Sequence, residues 1–180
     1  MLTLPALSRL ELSHISSGWR NYDSVINPHL QNLLLRSHCQ LEYLKLISNH
    51  YNYGQELVEF LLLTPKLTHL EIDLCDHKKL TIFQSLTPKD GKLSLLPQLT
   101  SLCIRTRDLT SLPEPEAIFL GVKSRRAVDL EGQNKRLESF ALIVTDPEGK
   151  EWKKSFTSKA EPGLRALEEN GLKLELQIRL

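Results

Sequence analysis

Leu67-Thr68-His69-Leu70-Glu71-Ile72-Asp73-Leu74-Cys75 reads L-x-x-L-x-L-x-x-C, and the spacing recurs along the chain. Leu41-Glu42-Tyr43-Leu44-Lys45-Leu46-Ile47-Ser48-Asn49 repeats it with Asn in the last place. Looser copies stand at Leu7/Leu10/Leu12, Leu99/Leu102/Ile104 and Leu137/Phe140/Leu142. In Leu44-Lys45-Leu46 and Leu70-Glu71-Ile72 apolar residues alternate with a charge. That period of two marks a strand with one covered and one open face.

The first leucines of the copies lie at 7, 41, 67, 99 and 137, giving steps of 34, 26, 32 and 38 residues. Leucine-rich repeats usually run about 20–29 residues, so these units are long and uneven, with room for a strand, a helix and two loops each. Helix signals fill the gaps. Gln55 to Leu63 is apolar at 57, 58, 60, 61 and 62, with Pro65 beyond its end. Pro115 opens a second helix with Glu116 behind it and Lys123, Arg125 and Arg126 at its C-terminal end, matching the helix dipole. Further helices are expected over Val25–Arg36, its start blurred by Pro28, over Leu80–Leu86, and over Pro162–Asn170 with Gly171 as the stop. Leu172–Leu180 alternates for nine residues as a closing strand. The charged stretches Asp76–Leu96 and Asp146–Lys159 read as loops.

Strand and helix in succession imply parallel strands joined by right-handed crossovers. The expected fold is therefore α/β: one leucine-rich repeat domain over residues 1–180, of five or six irregular repeats. It forms a right-handed, ribonuclease-inhibitor-like solenoid with strands on the concave face and helices on the convex face. Leu supplies 38 of 180 residues and aromatics only 6%, which suits stacked aliphatic rungs. Leu10, Leu12, Leu44, Leu46, Leu70, Ile72, Leu102, Ile104, Phe140 and Leu142 are expected to face the core.

The residues between them then form three open rows: Arg9, Tyr43, His69, Ser101 and Ser139; Glu11, Lys45, Glu71, Cys103 and Ala141; and Ser13, Ile47, Asp73, Arg105 and Ile143. The candidate protein-binding residues are Arg9, Glu11, Tyr43, Lys45, His69, Glu71, Asp73, Cys103 and Arg105, because rigid strands that display Tyr and Arg suit binding hot spots. Asn49 and Cys75 end their repeats as hydrogen-bonding side chains, and Cys75 is read as structural. Cys103 is exposed by the register and is read as a small surface residue.

Other chemistries lack their signatures. The charge balance, Lys+Arg 23 against Asp+Glu 22, favours neither nucleic acid nor an acidic membrane. The basic groups Lys123-Ser124-Arg125-Arg126 and Lys153-Lys154 read as a helix end and a solvated loop. Six histidines lie in the N-terminal half, but no H-x-x-x-H or H-E-x-x-H places two ligands on one helical face. No G-x-S-x-G elbow or Gly-rich phosphate loop occurs. The expectation is a non-enzyme without cofactor or metal. Three scattered cysteines, no N-x-[ST] acceptor, no signal-peptide pattern, and apolar runs such as Leu61-Leu62-Leu63 that are too short to span a bilayer predict a cytoplasmic or nuclear setting.

The phrases LPALSRLELS (4–13), SHCQLEYLKL (37–46), LLLTPKLTHLEI (61–72), LLPQLTSLCI (95–104), VKSRRA (122–127) and LRALEENGLKLELQI (164–178) resemble, in order, the leucine-rich repeat region of fungal F-box-like proteins. The family is abundant in mushroom-forming fungi. The resemblance implies a substrate-recognition region of an SCF-type ubiquitin ligase receptor. In that family an N-terminal F-box docks the ligase adaptor, and LPALSRLEL already reads as a repeat strand where an F-box would stand. The other expectation is a free-standing interaction scaffold with no ubiquitin role. Either way the partner is a protein. Leu2, Leu4, Leu7 and Leu10 crowd the first repeat without a charged cap, which predicts that this edge packs against more protein. The last strand interleaves Lys173, Glu175, Gln177 and Arg179, a pattern that discourages strand addition.

Overall fold

Alternation along L-x-x-L-x-L becomes a single sheet. A computed structural model describes residues 3–14, 28–48, 55–74, 82–87, 95–107, 109, 112–126, 135–145 and 150–178. They hold strands β1 (Arg9–His14), β2 (Tyr43–Ser48), β3 (His69–Leu74), β4 (Ser101–Thr106), β5 (Ser139–Val144) and β6 (Lys173–Ile178). The helices are α1 (Pro28–Ser37), α2 (Gln55–Leu62), α3 (Ile82–Leu86), α4 (Pro115–Arg126), α5 (Lys150–Lys159) and α6 (Glu161–Glu169). The strands lie in chain order, β1 to β6, and every neighbouring pair is parallel. The architecture is thus α/β with a six-stranded parallel sheet.

One register runs through the sheet. Leu10, Leu44, Leu70, Leu102, Phe140 and Leu174 are aligned across it, as are Leu12, Leu46, Ile72, Ile104, Leu142 and Leu176. In β2 to β5 these residues are buried, and with Leu57, Phe60, Phe83, Ile118, Val122, Phe156 and Leu164 from the helices they form one apolar cluster. The helices therefore cover the face that carries the leucines. The alternate residues look out of the other face. At the outer strands Leu10, Leu12, Leu174 and Leu176 are half-buried, having a neighbouring strand on one side among the described residues.

Three of the strands are entered through the same device. Leu4-Pro5-Ala6-Leu7, Thr64-Pro65-Lys66-Leu67 and Leu96-Pro97-Gln98-Leu99 are turns closed by an N–H of the fourth residue to the carbonyl of the first, at 3.0–3.1 Å. Proline, with its fixed φ, holds the second position of each. The strand ladder then begins one residue early. Ser8 O accepts from Glu42 N and Tyr43 N, Glu42 O from Thr68 N and His69 N, Thr68 O from Thr100 N and Ser101 N, and Thr100 O from Glu138 N and Ser139 N. Thr68 and Thr100 add their hydroxyls to the same carbonyls, Glu42 O and Thr68 O, at 2.9 and 3.1 Å.

The helix expectations hold with adjusted ends. The described part of the first starts at Pro28, in the position where the missing N–H costs nothing, while Val25 to Asn27 lie outside the described residues. So do Leu80 and Thr81, ahead of α3, and the last two residues of the closing strand. The helix before β6 stops in a Schellman motif. Gly171, at φ +86°, bonds through its N–H to Glu168 O, and Leu172 N to Leu167 O. Gly121 of α4 allows the close approach of α3, since a Cβ there would stand 3.1 Å from Phe83 O.

Two expectations are corrected. Lys150–Lys159, read as part of a loop, is α5. Its apolar stripe is only Trp152, Phe156 and Ala160, one residue per turn among lysines, and it is legible only once its neighbours are known. Trp152 stacks on Phe156 with centroids 5.1 Å apart and donates its indole N–H to Pro113 O at 3.2 Å, while Phe156 and Ala160 are fully buried. The second concerns Lys153-Lys154, read as a solvated loop and helical in α5; the Lys123–Arg126 group does end a helix, as read, with Arg125 1% exposed and Arg126 buried. Arg125 Nη2 donates to Leu96 O at 2.7 Å and to Leu99 O at 3.2 Å, tying α4 to the turn before β4. Leu96 sits at φ +51°, left-handed backbone that a leucine rarely adopts, and its carbonyl also accepts Leu99 N. Arg126 donates to Leu137 O at 3.0 Å and to Asn170 O, joining α4 to the entry of β5 and the end of α6. Burial lowers the Arg125 guanidinium to about 10, far enough above neutrality that it keeps its charge.

The shared register sets a stability test. Leu70 is buried in the middle of its row, between Leu44 and Leu102. Leu70→Ala is expected to lower unfolding free energy by about 2–5 kcal/mol, whereas exposed Lys66→Ala should change it by under about 0.5 kcal/mol. Chemical denaturation monitored by circular dichroism measures both, and equal losses would mean the strand register is wrong.

Candidate interaction face

The parity that buries Leu44 and Leu70 places Tyr43, Lys45, His69 and Glu71 on the open face. All three expected rows form as read. Arg9, Tyr43, His69, Ser101 and Ser139 are successive partners across the sheet, as are Glu11, Lys45, Glu71, Cys103 and Ala141, and Ser13, Ile47, Asp73, Arg105 and Ile143. The sheet extends each row by one residue that sequence reading left out: Lys173, Glu175 and Gln177. The signal was present in the alternation of 172–178. That strand is legible in the sequence, but its leucines run L-x-L-x-L without the first gap of L-x-x-L-x-L, so the repeat pattern alone does not join it to the rows.

Within the rows one carboxylate gathers the charges of three strands. Glu71 Oε1 accepts Lys45 Nζ at 2.8 Å and also Arg105 Nη1, and its Oε2 accepts the Tyr43 hydroxyl at 3.1 Å. Its side chain is only 16% exposed. Glu71, expected as an exposed candidate binding residue, is instead half-buried, because long cationic neighbours from β2 and β4 close over it. Such half-sheltered pairs are screened less than surface pairs. Tyr43 in turn carries Arg9 over its ring, with the guanidinium carbon 3.6 Å from the centroid, within cation–π range. Arg9 also bonds Glu11 through Nε at 3.2 Å. His69 lies beside Tyr43, ring centroids 6.4 Å apart and tilted by 32°, and its Nδ1 is 2.8 Å from Thr68 Oγ1.

The network runs Glu11–Arg9–Tyr43–Glu71 and branches to Lys45 and Arg105. It links six side chains from four strands, with Arg9 and Glu11 the most exposed members. Beyond it, toward β5, the face turns uncharged and mostly small: Ser101, Cys103, Ser139, Ala141 and Ile143. Ala141, expected to be exposed, is buried on this face, because a single methyl sits below the reach of longer neighbours such as Glu175. Cys103, also expected to be exposed, is half-buried, and desolvation with a smaller contribution from Glu175 pushes its thiol up to about 11. It is therefore a poor nucleophile at neutral pH. Asn49 and Cys75, at the ends of their repeats, lie outside the described residues.

Among the described residues no group of three or more His, Cys, Asp or Glu side chains could hold a metal ion, and no helix is long and apolar enough to cross a membrane. Two recesses lie away from the face. One of about 420 Å³ is lined by Phe83, Gln84, Thr87, Ala117, Leu120, Lys123 and Ser124, between α3 and α4. The other, of about 310 Å³, lies by the ends of α1 and α2 around Leu34, His38, Leu41 and Pro65. Neither gathers acid, base and nucleophile in catalytic geometry.

Two measurements test this geometry. Removing the Glu71 carboxylate with Glu71→Ala leaves Lys45 and Arg105 facing each other, and should cost about 1 kcal/mol, more than a surface pair and less as salt rises. A loss that ignores ionic strength would mean the charge network does not form. For Cys103, the folded thiol titrates near 11 against an ordinary 9.0. Iodoacetamide labelling of Cys103 at pH 8 should be slow in the native chain and fast in denaturant, with the native rate still climbing above pH 9, where that of the denatured chain levels off. The linkage has the matching sign. The raised thiol leaves stability untouched below pH 9 and lowers it as pH climbs toward 11, where the unfolded chain ionises first.

No protein-family model, no curated protein and no solved structure matches this chain, so its face is read from its own residues.

Proposed function

We propose that this chain is a non-catalytic protein-interaction module of the leucine-rich repeat type, which binds a protein partner on the open face of its sheet. The observation that carries the reading is the single register of six parallel strands, whose open side aligns Arg9, Tyr43, His69, Glu11, Lys45, Glu71, Cys103, Asp73 and Arg105 into continuous rows. Parallel strands repeat every ~4.8 Å, whereas packed helices need about 8–10 Å. A stack with helices on one side therefore bends toward its strands, the solenoid form whose concave surface suits extended binding. Tyr43 and Arg9, large amphipathic groups already held by neighbours, are the expected anchors, and the small residues of β5 leave room for a protruding partner segment.

The resemblance of the repeat phrases to fungal F-box-like proteins supports a narrower reading, in which the bound protein is a substrate of an SCF-type ubiquitin ligase. The scaffold reading keeps the same face and drops the ligase. Capture experiments separate them, since only the first has a ligase adaptor recovered together with the partner when the full-length natural protein is used as bait.

Replacing Tyr43, Lys45, His69 and Glu71 together by Ala should abolish capture of partners that wild-type chain retains, as identified by mass spectrometry, with the far-UV circular dichroism unchanged. Substitution of the exposed Glu59 and Leu62 on α2 should leave capture intact. The reverse pattern would move the binding surface to the helices.

A further inference from the structure

Among the described residues both outer strands leave core leucines half-covered, and the first rung is also open at its entry. Leu41, Leu67, Leu99 and Leu137, which lead into β2 to β5, are 1% exposed or less, whereas Leu7, their counterpart before β1, is half-buried and Leu4 beside it is 36% exposed. Leu10 and Leu12 are half-buried too. At the opposite edge Leu172, ahead of β6, is sealed at 2%. Ser8 O points to β2, where it accepts Glu42 N and Tyr43 N at 2.8 and 3.0 Å. By the alternation of an extended chain, the N–H and C=O groups of Arg9, Glu11 and Ser13 point away from β2, where the described residues place no strand. Such an edge is a template for another strand.

The charges of β1 select the occupant. A second copy continuing the sheet head to tail, β6 beside the partner's β1 in the prevailing register, would set Lys173 opposite the partner's Arg9 and Glu175 opposite the partner's Glu11. Like charges directly opposite are destabilising. Antiparallel pairing of β1 with the partner's β1 must keep the covered-face positions 8, 10 and 12 opposite covered-face positions so that the two helix layers share a side. Of the registers that do so, centring on Arg9 or on Glu11 sets like against like, and centring on Leu12 leaves neither charge an opposite. Centring on Leu10 sets Arg9 against the partner's Glu11 and Glu11 against the partner's Arg9. It makes both of these the hydrogen-bonded pairs and brings Leu10 against the partner's Leu10 on the covered face. Arg-Leu-Glu is thus its own complement about a two-fold axis.

We infer that β1 is a homodimerisation edge, on which a second copy of this chain adds its own β1 antiparallel, centred on Leu10, to give one continuous twelve-stranded sheet. The edge shares Arg9 and Glu11 with the open face, and pairing across the two-fold takes Arg9 from Tyr43 and from its own Glu11.

Charge reversal with rescue tests it. Sedimentation velocity of the 180-residue chain over a concentration series should show a monomer–dimer equilibrium. Arg9→Glu and Glu11→Arg should each raise the dimer dissociation constant on the order of tenfold, and the double variant R9E/E11R should restore the wild-type value. Lys173→Glu should leave it unchanged. Both β1 side chains are well exposed, at 60% and 49%, so folding, checked by circular dichroism, should survive. An independent readout needs no variant: the amides of Arg9, Glu11 and Ser13 should exchange more slowly as protein concentration rises. A chain that stays monomeric into the millimolar range, a dimer indifferent to Arg9→Glu, failure of the double variant to restore pairing, or equal sensitivity to Lys173→Glu would each overturn the proposal.

Discussion

The parity of the strands is the constraint on which the rest of the structure depends. Side chains alternate between faces with a period of two, so a slip of one residue in any strand would put its leucines in solvent and its charges in the core. All five strand pairs obey a common register, and the buried row and the open rows are two consequences of it. The turns Leu4-Pro5-Ala6-Leu7, Thr64-Pro65-Lys66-Leu67 and Leu96-Pro97-Gln98-Leu99 deliver the chain to the sheet at a set distance from the first core leucine. With proline fixing one dihedral, each turn limits the ways in which its strand could shift.

Where a proline turn is missing, polar side chains do the positioning. Among the described residues no such turn precedes β5. Leu137 N bonds Arg125 O, and Lys135 N bonds Pro97 O. The α4 arginines then connect carbonyls of three neighbouring segments: Leu96 and Leu99, Leu137, and Asn170. Carbonyls at the ends of helices and turns lack partners in regular structure. A guanidinium carries five donors in one rigid fork, so it can meet several of them where a neutral side chain could meet one. Arg125 meets Leu96 O and Leu99 O through Nη2 alone, while its buried Nε and Nη1 have no hydrogen-bond partner among the described residues.

On the open face the same register turns local sequence into long-range chemistry. Tyr43, Glu71 and Arg105 are separated by 28 and 34 residues along the chain, yet Glu71 bonds both others. Alignment of one position per repeat makes neighbours of residues in successive units. The charged half of the face is therefore internally neutralised and held in place, while the β4–β5 half stays small.

Sequence alone determined the strands, their parallel order and their parity, because those follow from the alternation of apolar and polar residues over five or six positions and from the helix-length gaps between them. The rows of candidate residues were legible for the same reason. The helix from Lys150 to Lys159 was not, since one apolar residue per turn is too narrow a stripe to stand out until α4 and α6 supply the surface it packs on. Nor was the role of Arg125 and Arg126. A basic pair at a helix end matches the dipole in any helix, and only the tertiary approach of the Leu96 turn and the α6 terminus decides that these two lie inside. The depth of Glu71, Cys103 and Ala141 was likewise settled in three dimensions, because exposure depends on the length of the neighbours across the sheet, which lie dozens of residues away in the chain.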